Sequence, residues 1–109
     1  MYTRPVRGIS DKQITALSGT SNGARGKFII FEGGEGSGKT TIVDRLKEKF
    51  PNIVYTQDPG GTDVGERVRD LLMSKATSGI DARTELLLFL ASRAQLVAEV
   101  IRPALISGK

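Results

Sequence analysis

Two short runs of apolar residues, each followed by glycines, predict buried β-strands. Residues 28–32 are apolar up to the last position, which is typical of a strand covered on both faces in a parallel sheet. Residues 53–56 are β-branched and aromatic, and the sequence Asp-Pro-Gly-Gly at 58–61 stops the strand soon afterwards. We therefore expect two parallel strands, each leading into a loop.

Three further segments have the spacing of amphipathic helices, at residues 39–50, 62–74 and 82 to about 106. The apolar positions expected to face inward are Ile42, Val43, Leu46 and Phe50 in the first, Val64, Val68, Leu71 and Leu72 in the second, and Leu86, Phe89, Leu96 and Val100 in the third. The order strand, helix, strand, helix, helix predicts an α/β fold with a parallel sheet.

The ends of the third helix carry recognisable signals. Asp81 is expected as its N-cap, because a short acidic side chain accepts hydrogen bonds from free amides there. Pro103 lacks an N–H and should kink or loosen the last turn, and Gly108 is a candidate C-cap.

Charge divides the chain into two predicted parts. Of the net +4, all of the excess lies in residues 1–27, while residues 28–109 are balanced. We expect 1–27 to be a flexible basic extension and 28–109 to be the folded domain. The basic isoelectric point thus gives no support for a nucleic-acid partner. An acid-poor, arginine-rich start also resembles an organelle transit peptide, but we expect a cytoplasmic protein.

Composition removes several kinds of chemistry. The chain has neither cysteine nor histidine, which excludes disulfides, thiolate or imidazole metal sites and histidine general bases. No apolar run approaches the length of about 20 residues that a membrane span requires, so no membrane partner is expected.

Residues 33–40 match the pattern G-x-x-x-x-G-K-[ST], with a predicted strand before and a predicted helix after. Its glycines allow backbone amides to converge on phosphate oxygens, and the helix directs its positive end there. Lys39 is placed to reach the β- and γ-phosphates, and the Thr40 hydroxyl to coordinate Mg²⁺. The residues predicted to bind the nucleotide are Gly33, Gly34, Glu35, Gly36, Ser37, Gly38, Lys39, Thr40 and Thr41.

A phosphate loop also occurs in GTPases, and residues 58–61 fit their D-x-x-G element. Asp58 follows Thr40 too soon to leave room for a switch segment and a strand. No Asn-Lys-x-Asp guanine motif occurs in the chain. A GTPase is therefore not favoured.

Arg93 interrupts the apolar stripe of the third helix, one turn after Phe89. A guanidinium in such a stripe needs a hydrogen-bonding or anionic partner. Two interpretations stay open on these residues alone. Phe89 and Arg93 could recognise a planar base by stacking and hydrogen bonding, or Arg93 could form an internal salt bridge, for instance to Asp70 or Glu66.

Three blocks of sequence together resemble bacterial thymidylate kinase. They are FIIFEGGEGSGKTT from residue 28, TQDPGGTDVGERVRDLL from residue 56 and ELLLFLASRAQLVAEVIRPAL from residue 85. The resemblance extends from 28 to 109 and implies a P-loop NTPase fold, with a parallel sheet flanked by helices. It implies ATP and Mg²⁺ as cofactors, and transfer of phosphate to dTMP to give dTDP. Family members are usually homodimers.

The resemblance also implies roles for individual residues. Lys39 and Asp58 would be catalytic, with Asp58 near the acceptor phosphate and the metal. Glu35 would accept a hydrogen bond from the 3′-hydroxyl of the acceptor sugar. The residues implied to bind the acceptor are Glu35, Asp58, Pro59, Arg69, Phe89 and Arg93. Three positions depart from the family: Gln57 stands where arginine is usual, Asp58 where glutamate is common, and Leu96 where many members have histidine.

The resemblance covers only the N-terminal half of the family's domain. The family's central third strand with its Asp-Arg pair, and its lid, find no counterpart up to Lys109. We therefore expect an N-terminal fragment that binds nucleotide weakly and is inactive alone. The alternatives are a non-catalytic truncated remnant and a different P-loop nucleotide kinase.

Overall fold

The structure, a computed structural model, describes residues 25–109, so most of the predicted basic extension lies outside the described range. Within this range the elements are α-helices α1 (Lys39–Lys49), α2 (Asp63–Met73), α3 (Ala82–Leu96) and α4 (Arg102–Ile106), with a π-helical turn (Val97–Ile101) between α3 and α4. Helix α2 packs against α3, whereas α1 makes no comparable contact with another described helix. The fold therefore holds its tightest packing around α2 and α3.

The predicted β-strands at 28–32 and 53–56 are not formed as strands in residues 25–109. A strand requires backbone hydrogen bonds to a neighbour, and no such bond joins the two segments here. Ile53 instead donates its amide to the carbonyl of Phe50, as in a turn. The apolar side chains of both segments stay largely exposed, as for Ile29 and Ile30. The sheet of the predicted α/β fold is thus not observed.

The three predicted helices are confirmed, with their ends within a residue or two of the expected positions. Thr62 is the N-cap of α2, and its side chain accepts a hydrogen bond from the amide of Gly65. Asp81 caps α3 as predicted, by accepting a bond from the amide of Arg83 at 3.0 Å. These side chains satisfy amides that have no partner within the helix itself.

The third helix departs from α-helical geometry shortly before Pro103, as predicted. The π-helical turn comes just before this residue, and Arg102 donates its amide to the carbonyl of Val97, five residues back. Because proline has no N–H, the carbonyl of Glu99 cannot receive its normal helical bond, and the wider turn accommodates the loss.

Gly108 ends α4 in the predicted manner. It has a left-handed φ of 80° and donates to the carbonyl of Leu105, while Lys109 donates to the carbonyl of Ala104. This pair of bonds is a Schellman motif, which satisfies the last helical carbonyls. Gly26 also donates its amide to Leu105, at 3.2 Å, so the start of the described range meets the last helix.

The buried part of the described residues is small and lies between α2, α3 and the loop that precedes α2. It comprises Pro59, Gly60, Thr62, Gly65, Ser92 and Leu96. The helical stripes are only partly covered: Leu96 is 2% exposed, whereas Leu86, on the same predicted face, is 59% exposed. The predicted inward positions Ile42, Phe50, Val64 and Leu71 are also exposed. Those assignments were wrong for the described residues, because the sheet that would cover these faces is not formed.

Candidate functional site

The phosphate loop, residues 33–41, is exposed along its whole length. A turn closes it, in which the amide of Ser37 donates to the carbonyl of Gly34 at 3.3 Å. Gly38 is the N-cap of α1 with a φ of 84° and no side-chain cap. This left-handed backbone is open to glycine and strained for other residues, and it leaves the first amides of α1 free of a capping side chain.

Lys39 and Thr40 begin α1 at the point where these amides emerge. The ammonium group of Lys39 donates to the carbonyl of Gly33 at 3.2 Å, so its side chain folds back over the loop. The two threonines, Thr40 and Thr41, are exposed in the first turn. Free amides, the positive helix end and a lysine together form an arrangement suited to binding an anion.

Glu35 occupies the exposed turn of this loop. Among the residues that the structure describes, it forms no side-chain hydrogen bond that fixes its position. A carboxylate repels phosphate, so only the backbone amide of Glu35, and not its side chain, is suited to contact an anion at this loop.

The second cluster of predicted site residues lies in the Pro59 loop, which we define as residues 57–62. Asp58 and Pro59 are joined by a cis peptide bond. The carboxylate of Asp58 accepts a hydrogen bond from Arg93 Nε, at 2.6 Å between Nε and Oδ2. Arg93 therefore does form an ion pair, but its partner is neither Asp70 nor Glu66. The Arg93 side chain is 57% exposed, so the ion pair with Asp58 leaves it accessible to solvent.

Helix α2 brings a second arginine to the same loop. Arg69 donates from Nη1 to the carbonyl of Pro59 at 2.9 Å, and its side chain is half-buried. Phe89 is half-buried one turn before Arg93 on α3. The structure thus brings Asp58, Pro59, Arg69 and Arg93 into direct contact, with Phe89 next to Arg93 on the helix.

Sequence reasoning missed the residues that hold this loop. Ser92 is fully buried, and its hydroxyl accepts a hydrogen bond from the amide of Gly60 at 3.1 Å. Glu66 accepts one from the amide of Gly61 at 2.7 Å and another from the Gln57 side chain at 3.2 Å. The signal for Ser92 was available, since it is a small polar residue within the apolar stripe that contains Leu96.

The environment of Glu66 favours its charged form. The hydrogen bond from the Gly61 amide is the main cause that lowers the pKa of the Glu66 carboxyl, followed by the bond from Gln57 and by the positive charge of Arg69. Burial acts in the opposite direction and is outweighed. At neutral pH, Glu66 therefore contacts the Pro59 loop as a carboxylate.

The phosphate loop and the Pro59 loop are not linked to each other by hydrogen bonds. Within residues 25–109, no hydrogen bond links the phosphate loop to the Pro59 loop. The same range contains no group of three or more aspartate and glutamate side chains that could hold a metal ion.

The described residues also contain no helix with the length and apolar character required to cross a membrane.

Comparison with known proteins identifies the family. The model of the family "Thymidylate kinase" matches residues 31–109. The chain is 51% identical over 89 residues to a thymidylate kinase of Pelotomaculum thermopropionicum, covering 78% of this chain and 41% of the relative. A thymidylate kinase of Protochlamydia amoebophila is 49% identical over 90 residues, covering 78% of this chain and 40% of the relative.

The chain thus spans about two fifths of the length of these relatives. A match of this extent over residues 31–109 includes both the phosphate loop and the Pro59 loop with the two helices behind it. The chain therefore belongs to the thymidylate kinase family, which implies the P-loop NTPase fold.

Proposed function

We propose that this chain carries the donor-phosphate loop and part of the acceptor pocket of a kinase that transfers the γ-phosphoryl group of ATP to dTMP, giving dTDP and ADP. The observation that supports this most is the contact of Arg69 and Arg93 with Pro59 and Asp58 of one loop, with Phe89 one turn before Arg93 on α3. Because the chain spans two fifths of its relatives, the complete reaction is proposed for an enzyme of family length that contains these residues.

The phosphate loop would bind ATP. Free amides at the start of α1 and the ammonium group of Lys39 would neutralise the triphosphate, and Lys39 would stabilise charge that develops during in-line transfer. Lys39 now bonds to a carbonyl of its own loop, an exchangeable partner that a phosphate oxygen replaces. The residues proposed to contact the donor are Gly33, Gly34, Glu35, Gly36, Ser37, Gly38, Lys39, Thr40 and Thr41.

The described residues could hold Mg²⁺ only together with oxygens of the bound phosphates and of water. The described residues offer no protein-only cluster of oxygen ligands, and Mg²⁺ in kinase sites binds one or two protein oxygens with the rest from phosphates and water. Thr40 would supply a hydroxyl from the first turn of α1. When bound, the metal would neutralise charge on the phosphates.

The acceptor would be recognised by the Pro59 loop and α3. Phe89 would stack on thymine. Arg93 uses Nε for Asp58, which leaves its Nη donors free for the 4-oxo edge of the base. Asp58 thus holds the guanidinium in place while the exposed part of it meets the ligand. Arg69 would lie near the acceptor phosphate, and Glu35 would accept the sugar 3′-hydroxyl from the opposite loop.

The first test measures both binding and turnover by the purified chain. We expect the 109-residue chain to bind ATP weakly and to show no dTMP-dependent release of ADP, since it spans only about two fifths of the length of its relatives. Competition among dTMP, dUMP, dCMP and AMP separates this function from another nucleotide kinase, because Arg93 donates to a 4-oxo group and not to the 4-amino group of cytosine. Turnover at an ordinary kinase rate would contradict the expected inactivity.

The second test replaces the base contact in an enzyme of family length. Arg93→Ala should raise the KM for dTMP at least tenfold, because about 1.4 kcal/mol of charged hydrogen bonding is lost. The KM for ATP should hardly change. Equal increases for both substrates would show that Arg93 is a structural partner of Asp58 and not a base contact.

A further inference from the structure

Two consecutive backbone amides of the Pro59 loop are held by two different helices. Gly60 donates its amide to Ser92 Oγ of α3 at 3.1 Å, and Gly61 donates its amide to Glu66 Oε1 of α2 at 2.7 Å. Ser92 is the one side chain that is fully buried among the described residues. A buried hydroxyl requires a hydrogen-bond partner, and the Gly60 amide supplies one here.

The space around these amides leaves little freedom for the loop. A Cβ built on Gly60 would lie 2.7 Å from Glu66 Oε1, which shows how closely the carboxylate approaches the backbone. Gly61 has a φ of 75°, which disfavours any other residue, and a Cβ there would lie 2.8 Å from Leu96 Cδ1. The loop is thus held on both sides by atoms of α2 and α3.

Each helix contributes a loop-holding residue and a pocket residue within about one turn. On α2, Glu66 holds Gly61 while Arg69 meets the carbonyl of Pro59 at 2.9 Å. On α3, Ser92 holds Gly60 while the adjacent Arg93 meets Asp58 at 2.6 Å. A shift of the loop at either glycine therefore moves Asp58 and Pro59 away from their arginines.

We propose that Ser92 and Glu66 are positioning residues, which fix the Pro59 loop so that Asp58 orients the guanidinium of Arg93 toward the acceptor nucleotide. The part of this proposal that concerns the acceptor nucleotide rests on the proposed function. The hydrogen bonds that hold the Pro59 loop are present in the free chain. The two parts are therefore measured separately.

The first measurement follows the loop in the free chain by ¹⁵N NMR. The amides of Gly60 and Gly61 should exchange with solvent at least tenfold more slowly than that of Gly34, which lies in the exposed phosphate loop. Ser92→Ala should remove the protection of Gly60, and Glu66→Ala that of Gly61. Both variants should move the Arg93 Nε–H signal toward that of an unpaired arginine.

The second measurement compares the affinities for dTMP and ATP. Ser92→Ala and Glu66→Ala should each weaken dTMP binding about tenfold, the factor that one hydrogen bond of this kind carries, and leave ATP binding unchanged. Glu66→Gln keeps an acceptor oxygen and should restore affinity to within about twofold. Ser107→Ala and Glu99→Ala serve as matched controls and should change neither affinity, because both residues are exposed and their side chains bond to Ala104 and Gln95 and not to the loop.

Several results would overturn the proposal. Rapid exchange of the Gly60 and Gly61 amides in the unaltered chain would show that the loop is not held. An unchanged Arg93 Nε–H signal in both alanine variants, or equal losses of dTMP and ATP affinity, would reduce Ser92 and Glu66 to structural residues. If Ser92→Ala fails to fold, the comparison of Glu66→Ala with Glu66→Gln decides the question.

A chain that binds no dTMP at all would count against the proposed function and not against the positioning residues. In that case the Arg93 Nε–H signal decides the proposal by itself. A signal that depends on Ser92 and Glu66 supports it, and one that does not overturns it.

Discussion

The phosphate loop and the Pro59 loop achieve order in opposite ways. The phosphate loop is exposed throughout, and its bonds are local, such as those from Ser37 to Gly34 and from Lys39 to Gly33. The Pro59 loop is buried at Pro59 and Gly60, and its bonds reach partners 32 and 35 residues away along the chain. A phosphate loop thus needs little more than its own sequence and the helix that follows it. The Pro59 loop, in contrast, requires two helices already packed together.

The largest effect that separates the two loops is expected from Gly65→Ala. A Cβ at Gly65 would lie 2.5 Å from the carbonyl oxygen of Gly60, a backbone atom that cannot turn aside. Overpacking of this kind costs about 3 kcal/mol, and the better helix propensity of alanine returns about 1 kcal/mol. We expect the free energy of unfolding to fall by about 2 kcal/mol, measured by urea denaturation.

Gly34→Ala is the matched control in the phosphate loop. A Cβ there meets no atom within 4 Å, so the free energy of unfolding should change by less than about 0.5 kcal/mol. Similar losses in both variants would mean that the phosphate loop is packed as tightly as the Pro59 loop, and would remove the contrast between them.

The same contrast explains which features could be predicted from sequence. The helix ends at Asp81, Thr62 and Gly108 depend on a few neighbouring residues, and were located to within a residue or two. The phosphate motif is local in the same sense. The two strands were not formed as predicted, because an apolar segment becomes a strand only beside another strand, and the segment itself does not specify that neighbour.

The partner of Arg93 shows the limit at the level of the site. Its position in an apolar stripe indicated that a partner was needed, but periodicity cannot distinguish among carboxylates in different segments. Asp58, Asp70 and Glu66 were equally available to a reading of the sequence, and only the packing of α2 on α3 selects Asp58. Ser92 shows the same limit: a serine in a stripe of leucines indicates that a partner is needed, but it does not identify the Gly60 amide, 32 residues away, as that partner.

A smaller effect is expected from Thr62→Ala. Thr62 is 7% exposed, and as the N-cap of α2 its Oγ1 accepts a hydrogen bond from the amide of Gly65 at 2.9 Å. Loss of such a cap costs about 1 kcal/mol, and urea denaturation should register a decrease of that size.

Thr41→Ala provides the comparison within the phosphate loop. Thr41 is exposed in the first turn of α1, where alanine is the better helix former by a few tenths, up to about 0.6 kcal/mol. We expect a slight increase in stability or no change. A loss as large as that of Thr62→Ala would indicate that Thr41 also caps its helix.

The smallest expected effect is a dependence of stability on pH that originates at Glu66. Bonds from Gly61 and Gln57 lower the pKa of its carboxyl below the usual value of 4.5, so the unfolded chain binds this proton more readily than the folded chain. Glu66 therefore contributes stability that is fully present above pH 4.5 and is lost as the pH falls through the lowered value. The backbone amides of the phosphate loop do not titrate, so their hydrogen bonds add no dependence of stability on pH.

Glu66→Gln isolates this contribution, since glutamine keeps an acceptor oxygen for the Gly61 amide but does not titrate. Because the two proteins differ only at residue 66, subtracting their urea midpoints at each pH leaves the contribution of this side chain. The difference should be constant near neutral pH and should shrink as the pH falls below 4.5. A difference that stays constant down to acid pH would mean that Glu66 is not selectively stabilised as a carboxylate. The hydrogen bond from Gly61 would then be no stronger than one to a neutral amide, and Glu66 would hold the Pro59 loop without any contribution from its charge.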